Sequence, residues 1–369
     1  MGDNYPVVKV AAVQAASVFL DREGSTEKAC RLIREAGRNG ARVIGLPEGF
    51  IPAHPVWYHH HAATSAIANK LAVELFKNSV EIPGPEVDRL CAAARDANAY
   101  VVIGVCEKLP QTIGTMFNSQ VYLGPDGTLL GKHQKIMPTV GERLVHMGGF
   151  GDTFGAFQTE FGPMSALICG ENSNPLAVFA LTAEGTRIHV MSWPNHFPTS
   201  GDPMRNRVAV DSQAFAQMSK AFVISACGTI DEDMIRKLEV APGAEKFLRN
   251  PDCCGGSAIV APNSRILAGP MGAEEGILYA ECNLELGVLS KLRHDFAGHY
   301  NRPDIFQLQI NRAAPHIYTV HGTREQAALA AAAQAQLPGM PPALPNATAW
   351  QTVEMPGGDG MHDEKKAKQ

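Results

Sequence analysis

Short apolar runs alternate along the chain with segments whose apolar residues recur at helical spacing. "VKVAAVQAA" (residues 8–16) is rich in β-branched residues and reads as a first strand, not as a signal peptide. In "STEKACRLIREAGRNG", Ser25, Thr26 and Glu27 open a helix, and Ala29, Leu32, Ile33 and Ala36 mark its buried face. "ARVIGLPEGF" returns to strand and breaks at Pro47. "GPEVDRLCAAARDANAY" predicts a second helix, with Pro85 in the first turn and Val87, Leu90, Cys91 and Ala94 along one side. "VVIGVCEKL" and "SQVYLGPDGTLLGKHQK" predict strands, the latter pair joined at a Gly-Pro-Asp-Gly turn. Strand then turn in "FGPMSALICGEN", helix in "PLAVFALTAEG" and strand in "RIHVMSWPN" follow. The order continues with helix in "NRVAVDSQAFAQMSKA" and strand in "FVISACG". "GGSAIVAPNSRIL" predicts a strand pair turning at Pro262, Asn263 and Ser264, and "GILYAECNLEL" one more strand.

Alternating strands and helices predict a layered α/β architecture. The central hairpins argue against a purely parallel sheet, which leaves two sheets face to face with helices outside. Residues 1–322 carry this pattern. Residues 323–369 are Ala-rich, then Pro-rich, then charged. They read as a tail that either contacts a neighbouring copy, through a short helix and Leu337, Met340, Leu344 and Trp350, or is disordered. The length of 369 residues, 45% hydrophobic and 19% charged, suffices for a sizeable core. A net charge of -5 gives no nucleic-acid footprint. No apolar stretch approaches the about 18 residues of a membrane span. Eight cysteines without a C-x-x-C pair fit free thiols in a reducing cytoplasm better than a disulfide framework. The partners expected are a small molecule and other copies of the chain.

Three polar residues end apolar runs: Glu48 in "VIGLPE", Lys135 in "LLGKHQK" and Cys169 in "SALIC". Strand ends in α/β folds meet at one rim, where loops carry function. A nucleophilic thiol needs a base, because its unperturbed pKa is about 8.5. A carboxylate can take that proton, and a lysine can stabilise developing negative charge. Each residue alone has a plainer reading. A cysteine ending an apolar run is most often a small core residue, Glu48 a turn acid and Lys135 a solvated strand end.

Together the motifs resemble those of the nitrilases, within the carbon–nitrogen hydrolase superfamily. The resemblance runs from about residue 8 to residue 308 and rests on "GLPEGFIPAHPVW", "HQKIMPTVGERLV", "LICGENSNPLA" and "GHYNRPDIFQL", in that order. It implies a four-layer α-β-β-α sandwich. It implies Cys169 as nucleophile, Glu48 as general base, Lys135 as stabiliser of the charged intermediate, and Glu142 as the residue that orients the lysine. It further implies hydrolysis of a nitrile through a thioimidate and a thioester, with no cofactor, and dimers that extend into larger or helical assemblies. An amidase or carbamoyl hydrolase on the same fold is the nearest alternative, and a catalytically silent metabolite-binding protein is the other.

Trp57, Tyr58, Trp193 and Pro194 follow the first motif and the strand after the cysteine, and they are the candidate walls of the substrate pocket. Aromatic walls suit aryl or arylaliphatic nitriles. Gly170 stands where many nitrilases have Trp, which enlarges or reshapes the site. His59, His60 and His61 lack an acidic cluster and read as a loop near the pocket entrance, not a metal site. Cys253 and Cys254 read as two structural thiols, since adjacent cysteines rarely close a ring without strain. His294 and His299 carry no signal for a Cys-His dyad.

Overall fold

The computed structural model describes residues 2–197, 201–241 and 243–314, together with Gln326 and Ala328. The chain divides into a unit of residues 1–315 and a second unit of residues 316–369. In the second only Gln326 and Ala328 are described, both helical and exposed. The tail contacts expected of residues 324–350 otherwise lie outside the described residues.

In the first unit the strands are β1 (Val7–Gln14), β2 (Val43–Gly45), β3 (Tyr100–Lys108), β4 (Met116–Leu123), β5 (Leu129–Gln134), β6 (Phe157–Thr159), β7 (Gly162–Ile168), β8 (Ile188–Trp193), β9 (Phe222–Cys227), β10 (Ala258–Val260), β11 (Ile266–Ala268) and β12 (Gly276–Asn283). The helices are α1 (Arg22–Arg38), α2 (Ala66–Asn78), α3 (Pro85–Ala97), α4 (Pro175–Ala183), α5 (Met204–Ser219), α6 (Glu232–Leu238), α7 (Glu245–Leu248) and α8 (Glu285–Arg293). Among the described residues the strands form two six-stranded sheets, ordered β12-β1-β2-β3-β4-β5 and β11-β10-β9-β8-β7-β6.

The period-2 alternation of the strands sorts their side chains into layers. Val8, Val10, Ala12, Val43 and Val102 of the first sheet meet Ala166, Val190, Ile224 and Ile259 of the second in one buried cluster. The opposite face of the first sheet, with Ala11, Val13, Ile44, Val101 and Ile103, packs on Leu32 and Ile33 of α1 and on Val87 and Leu90 of α3. The opposite face of the second sheet, with Leu167, Met191 and Val223, packs on Val178 and Leu181 of α4 and on Val208 and Phe215 of α5. The result is the expected sandwich of helix, sheet, sheet, helix.

Three local expectations differ from the structure. Helix α1 starts at Arg22, a turn before Ser25, because the Asp21 carboxylate caps the Gly24 N–H at 2.9 Å. Ser25 and Thr26 are buried inside the helix, where their hydroxyls bond the carbonyls of Val18 and Arg22. The run "GILYAECNLEL" is not all strand: β12 ends at Asn283, whose side chain accepts from the Glu285 N–H at 3.1 Å and starts α8. Helix α2 had no counterpart among the predicted elements. The Ser65 hydroxyl caps it on the Ala68 N–H, and it buries Ala68, Leu71 and Leu75 beside Phe19 and Trp57.

Strand direction places the loops. β1, β2 and β3 run parallel, and so do β7, β8 and β9. Two antiparallel pairings, β3 with β4 and β4 with β5, bring β5 back to the direction of β3. A parallel bridge from Ala15 to Gly228, and a bond from the Glu48 N–H to the Trp193 carbonyl at 3.1 Å, align the two sheets. The C-terminal ends of β2, β5, β7 and β8 therefore open on one rim.

Candidate active site

Glu48 lies three residues beyond β2, Lys135 directly beyond β5, and Cys169 directly beyond β7. The turn holding Glu48 crosses close over β3. A Cβ on Gly104 would collide with the Pro47 carbonyl, so glycine is required for this approach. Glu142 stands in a short 3-10 turn, Val140–Leu144, and its carboxylate accepts from the Thr139 N–H at 2.9 Å.

These four residues converge at the rim, all almost wholly buried. The Lys135 ammonium donates to Glu48 Oε1 at 2.8 Å and to Glu142 Oε2 at 2.7 Å. Asn118, opposite Lys135 on β4, donates from Nδ2 to Glu48 Oε1 at 2.6 Å and to Glu142 Oε1 at 2.7 Å. His146 Nδ1 lies 3.2 Å from Glu142 Oε1. Glu142 thus has both oxygens engaged. Glu48 has one oxygen held twice, while its Oε2 is buried and without a hydrogen-bond partner. Buried polar atoms are almost always paired, so an orphan acceptor at such a site marks a place for a donor.

The charges follow from this asymmetry. Burial pushes the Glu48 carboxyl up, the Lys135 ammonium opposes it and Glu142 reinforces it, and the group stands at about 7. Burial works the same way on Glu142, but Lys135, His146 and His54 outweigh it and hold the group well below the usual carboxylate range. Burial disfavours the Lys135 ammonium, yet Glu48 and Glu142 on either side raise it well above its ordinary value. One firm carboxylate, one firm ammonium and one carboxyl poised near neutrality result.

Cys169 has φ +52°, a left-handed conformation that is uncommon for a residue with a side chain. The sharp turn of residues 169–173 directly after β7 imposes it, and the side chain is buried beside Ile168 and Trp193. Burial raises the thiol pKa far above its ordinary value. The Glu48 and Glu142 charges add to that rise, while Lys135 and the Gly170 N–H favour the thiolate. The balance favours the thiol form, so a nucleophilic sulfur here needs a neighbouring base for its proton.

The remaining predicted positions take different places. Trp57 is buried beside Phe19, Leu71 and Leu75. Tyr58 is partly buried. Its hydroxyl meets His54 Nε2 at 3.0 Å, and a Cβ on Gly141 would stand 2.6 Å from its ring. Burial pushes that hydroxyl's pKa up, the Glu142 and Glu48 carboxylates add to the rise, and Lys135 opposes it. Trp193 and Pro194 are buried, and Trp193 shares the apolar cluster of Ile168 and Cys169. Gly170 is exposed, with only Thr139 Oγ1, at 3.9 Å, near where a Cβ would stand.

Among the described residues, the group of at least three His, Cys, Asp and Glu side chains whose ligand atoms lie within 4.8 Å of one another is Glu48, His54 and Glu142. Lys135 already supplies the cation between its two carboxylates. His59 and His60 instead meet His196 in tilted ring contacts, His60 meets Phe247 edge-on, and His61 bonds the Leu238 carbonyl at 2.7 Å. Cys253 and Cys254 are both buried free thiols. The ring neighbours of His294 are Phe296 and Tyr300, and that of His299 is Tyr300.

Asn118, His54 and His146 belong to the site but escaped the sequence reading. The available signal was "FNSQ". Asn118, Ser119 and Gln120 are consecutive polar residues in the middle of a strand that is buried throughout.

Residues 9–289 match the sequence profile of the carbon–nitrogen hydrolase family. A nitrilase of Bacillus sp. (strain OxB-1) is 35% identical over 311 residues, covering 84% of this chain and 89% of its own. An aliphatic nitrilase of Rhodococcus rhodochrous is 33% identical, covering 85% of this chain and 87% of its own. An arylacetonitrilase of Aspergillus oryzae is 31% identical, covering 82% and 91%. Among solved structures, a carbon–nitrogen hydrolase from Helicobacter pylori G27 superposes with a TM-score of 0.61 at 19% identity, covering 81% of this chain and 97% of its own. Saccharomyces cerevisiae Nit3, of the nitrilase superfamily, superposes with a TM-score of 0.60 at 20% identity, covering 78% and 94%. These two share the fold.

Proposed function

The chain belongs to the carbon–nitrogen hydrolase family, in its nitrilase branch, and from that premise we propose how its side chains divide the work of hydrolysing an organic nitrile to a carboxylic acid and ammonia. The observation that carries the assignment is the divided role of Glu48: one oxygen fixed by Lys135 and Asn118, the other free, and a carboxyl near neutrality within the field of a protonated thiol.

In the proposed sequence Glu48 Oε2 takes the Cys169 proton as sulfur adds to the nitrile carbon. The new C–S bond consumes one π bond of the nitrile, and the proton passes to nitrogen to give a thioimidate. Lys135, held as an ammonium by Glu142, stabilises the negative charge that develops on the nitrile nitrogen as sulfur adds to carbon. Glu48, again a base, draws a proton from water as it adds to the thioimidate carbon. The tetrahedral intermediate expels ammonia and leaves a thioester. A second water, activated in the same way, releases the carboxylic acid and returns the thiol. Every proton is handled by Glu48 or by solvent, and no electron transfer is involved.

We assign Tyr58, Trp193, Pro194 and Gly170 to the walls around the substrate, and Trp57 to the support beneath Tyr58. The hydrolase domain is assigned to residues 1–322. Eight free thiols support a reducing, cytoplasmic location. No helix among the described residues is long and apolar enough to cross a membrane. Self-association is supported by an apolar groove outside α4 and α5, where Leu176, Met218, Phe296, Ile305 and Phe306 are exposed. Sedimentation across a concentration series tests it.

The test of the activity is ammonia release from aliphatic, aryl and arylacetonitriles beside their matching amides. Turnover of a nitrile to the acid, faster than of its amide, is expected. Turnover of amides alone would move the protein to the amidase reading.

A further inference from the structure

We propose that Glu171 is a positioning residue for this reaction, its carboxylate locking the strand end that carries Cys169 to the strand end that carries Lys135. The inference rests on the assignment of those two residues above, but its geometry is independent of it.

Glu171 lies two residues after the cysteine and points away from the reacting groups. Its Oε1 accepts from the Ile136 N–H at 2.6 Å, and its Oε2 from the Ile168 N–H at 3.0 Å. Oε2 also lies 3.0 Å from His133 Nε2. His133 and Ile136 bracket Lys135, and Ile168 immediately precedes Cys169. One carboxylate therefore holds both sides of the lysine and the near side of the nucleophile. Its side chain is 5% exposed and that of His133 is 1% exposed, so water does not replace these bonds.

The two strand ends come from different sheets. β5 belongs to the first and β7 to the second. Their separation fixes how far the Lys135 ammonium stands from the atom Cys169 attacks. The neighbouring Asn172 also braces the turn, but from its own side. It bonds the Leu167 and Cys169 carbonyls at 3.2 and 2.9 Å and His189 at 2.8 Å, all on β7, its turn or β8. Gln120 and Tyr122 of β4 also reach across, to the Leu167 and Ala166 carbonyls at 3.3 Å each, but Glu171 is the side chain that holds the backbone at Ile136, beside Lys135, and at Ile168, beside Cys169.

Only an acceptor-only group satisfies this arrangement. All three partners present N–H donors, with His133 in its Nε2–H tautomer. Glutamine would set an NH2 against at least one of them, releasing either Ile136 or the Ile168 and His133 pair. Aspartate is one methylene too short to span the gap. Misplacement of a catalytic group by about 1 Å costs on the order of 100-fold in rate. Such an effect falls on kcat, because the partners of the Glu171 carboxylate, Ile136, Ile168 and His133, are none of the substrate walls named above.

The experiment compares Glu171→Gln, Glu171→Asp and His133→Gln with the unsubstituted protein. It reads kcat and KM on a nitrile, thermal unfolding, and the pH dependence of Cys169 alkylation by iodoacetamide. In Glu171→Gln we expect kcat to fall about 10- to 100-fold, with KM within about threefold and unfolding still cooperative. The titratable groups acting on the sulfur are Glu48, Glu142, Lys135 and Tyr58. Withdrawal of Lys135 moves the alkylation midpoint to higher pH. His133→Gln should show the same split, reduced in size. Wild-type kcat per folded molecule in Glu171→Gln, or a loss confined to KM, overturns the proposal. If Glu171→Gln does not accumulate as folded protein, the decision passes to His133→Gln, where wild-type kcat and an unmoved alkylation midpoint overturn it. Should the unsubstituted protein hydrolyse no nitrile, the function proposed above fails, while the alkylation midpoint still decides the role of Glu171.

Discussion

Halfway along the strands the space between the sheets is largely apolar; at their C-terminal ends the same strands enclose two carboxylates and an ammonium. Val10, Val102, Val190 and Ile224 fill the first region. Glu48, Asn118, Lys135, Glu142 and His146 fill the second. Both are buried to the same degree, yet burial acts on them in opposite senses. In the middle it is the driving force, about 25 cal/mol per Å² of apolar surface. At the rim it is a cost of several kcal/mol per ion, offset only while each charge keeps its partners. The packed middle holds the backbone that forces the rim charges together. The rim turns that enforced proximity into shifted proton affinities.

The contrast is broken most completely at the sulfur. Cys169→Ala should abolish turnover in a protein that unfolds cooperatively at a nearly unchanged temperature, and Cys169→Ser should be nearly as inactive, because a hydroxyl is a poorer nucleophile than a thiolate. Steady-state ammonia release beside circular dichroism checks both. Turnover above a few per cent in folded Cys169→Ala would remove the nucleophile assignment.

Next come the charged partners. Glu48→Gln and Lys135→Ala should each lower kcat about 10²–10⁴-fold. Each also leaves an uncompensated buried group, so each should lower the unfolding temperature, unlike Cys169→Ala. A Lys135→Ala protein with intact kcat and a raised KM would make the lysine a binding residue.

A smaller effect is set by pH. The base form of Glu48 is the ionised one, and its carboxyl stands at about 7. kcat/KM should therefore be full above that value and fall as pH drops through it, about tenfold per unit at the acid end. Buffer-matched profiles check the slope. A profile flat down to pH 5 would mean that no group raised in this way governs the reaction.

The smallest effect belongs to the apolar middle. Ile224→Val should cost about 0.5–1.5 kcal/mol in denaturant unfolding and leave kcat unchanged. A large kcat loss there would show that the two regions are not separable.

The same contrast explains what was legible in the sequence. The middle of the sandwich announces itself by β-branched alternation, because side-chain direction is a local property of a strand. Glu48, Lys135 and Cys169 were visible as polar residues ending such runs. Glu142 was identified only through the resemblance to nitrilases, since nothing in the periodicity of "GERL" marks it. Asn118, His54 and His146 were not identified. Asn118 meets Glu48 across 70 positions of chain, and no local period encodes that meeting. Helix α2 was missed for a related reason, its buried face being completed by Phe19, which is distant in sequence, and by Trp57.

The most direct test is to trap the covalent intermediate. The protein is mixed with a nitrile it turns over, quenched in acid during steady state, digested and examined by mass spectrometry. The expected result is an acyl or imidoyl mass increment on the Cys169 peptide, absent from the other seven cysteines and absent in Cys169→Ala. Continued turnover with Cys169 unmodified, or an increment on another residue that rises and decays with turnover, would contradict the assignment.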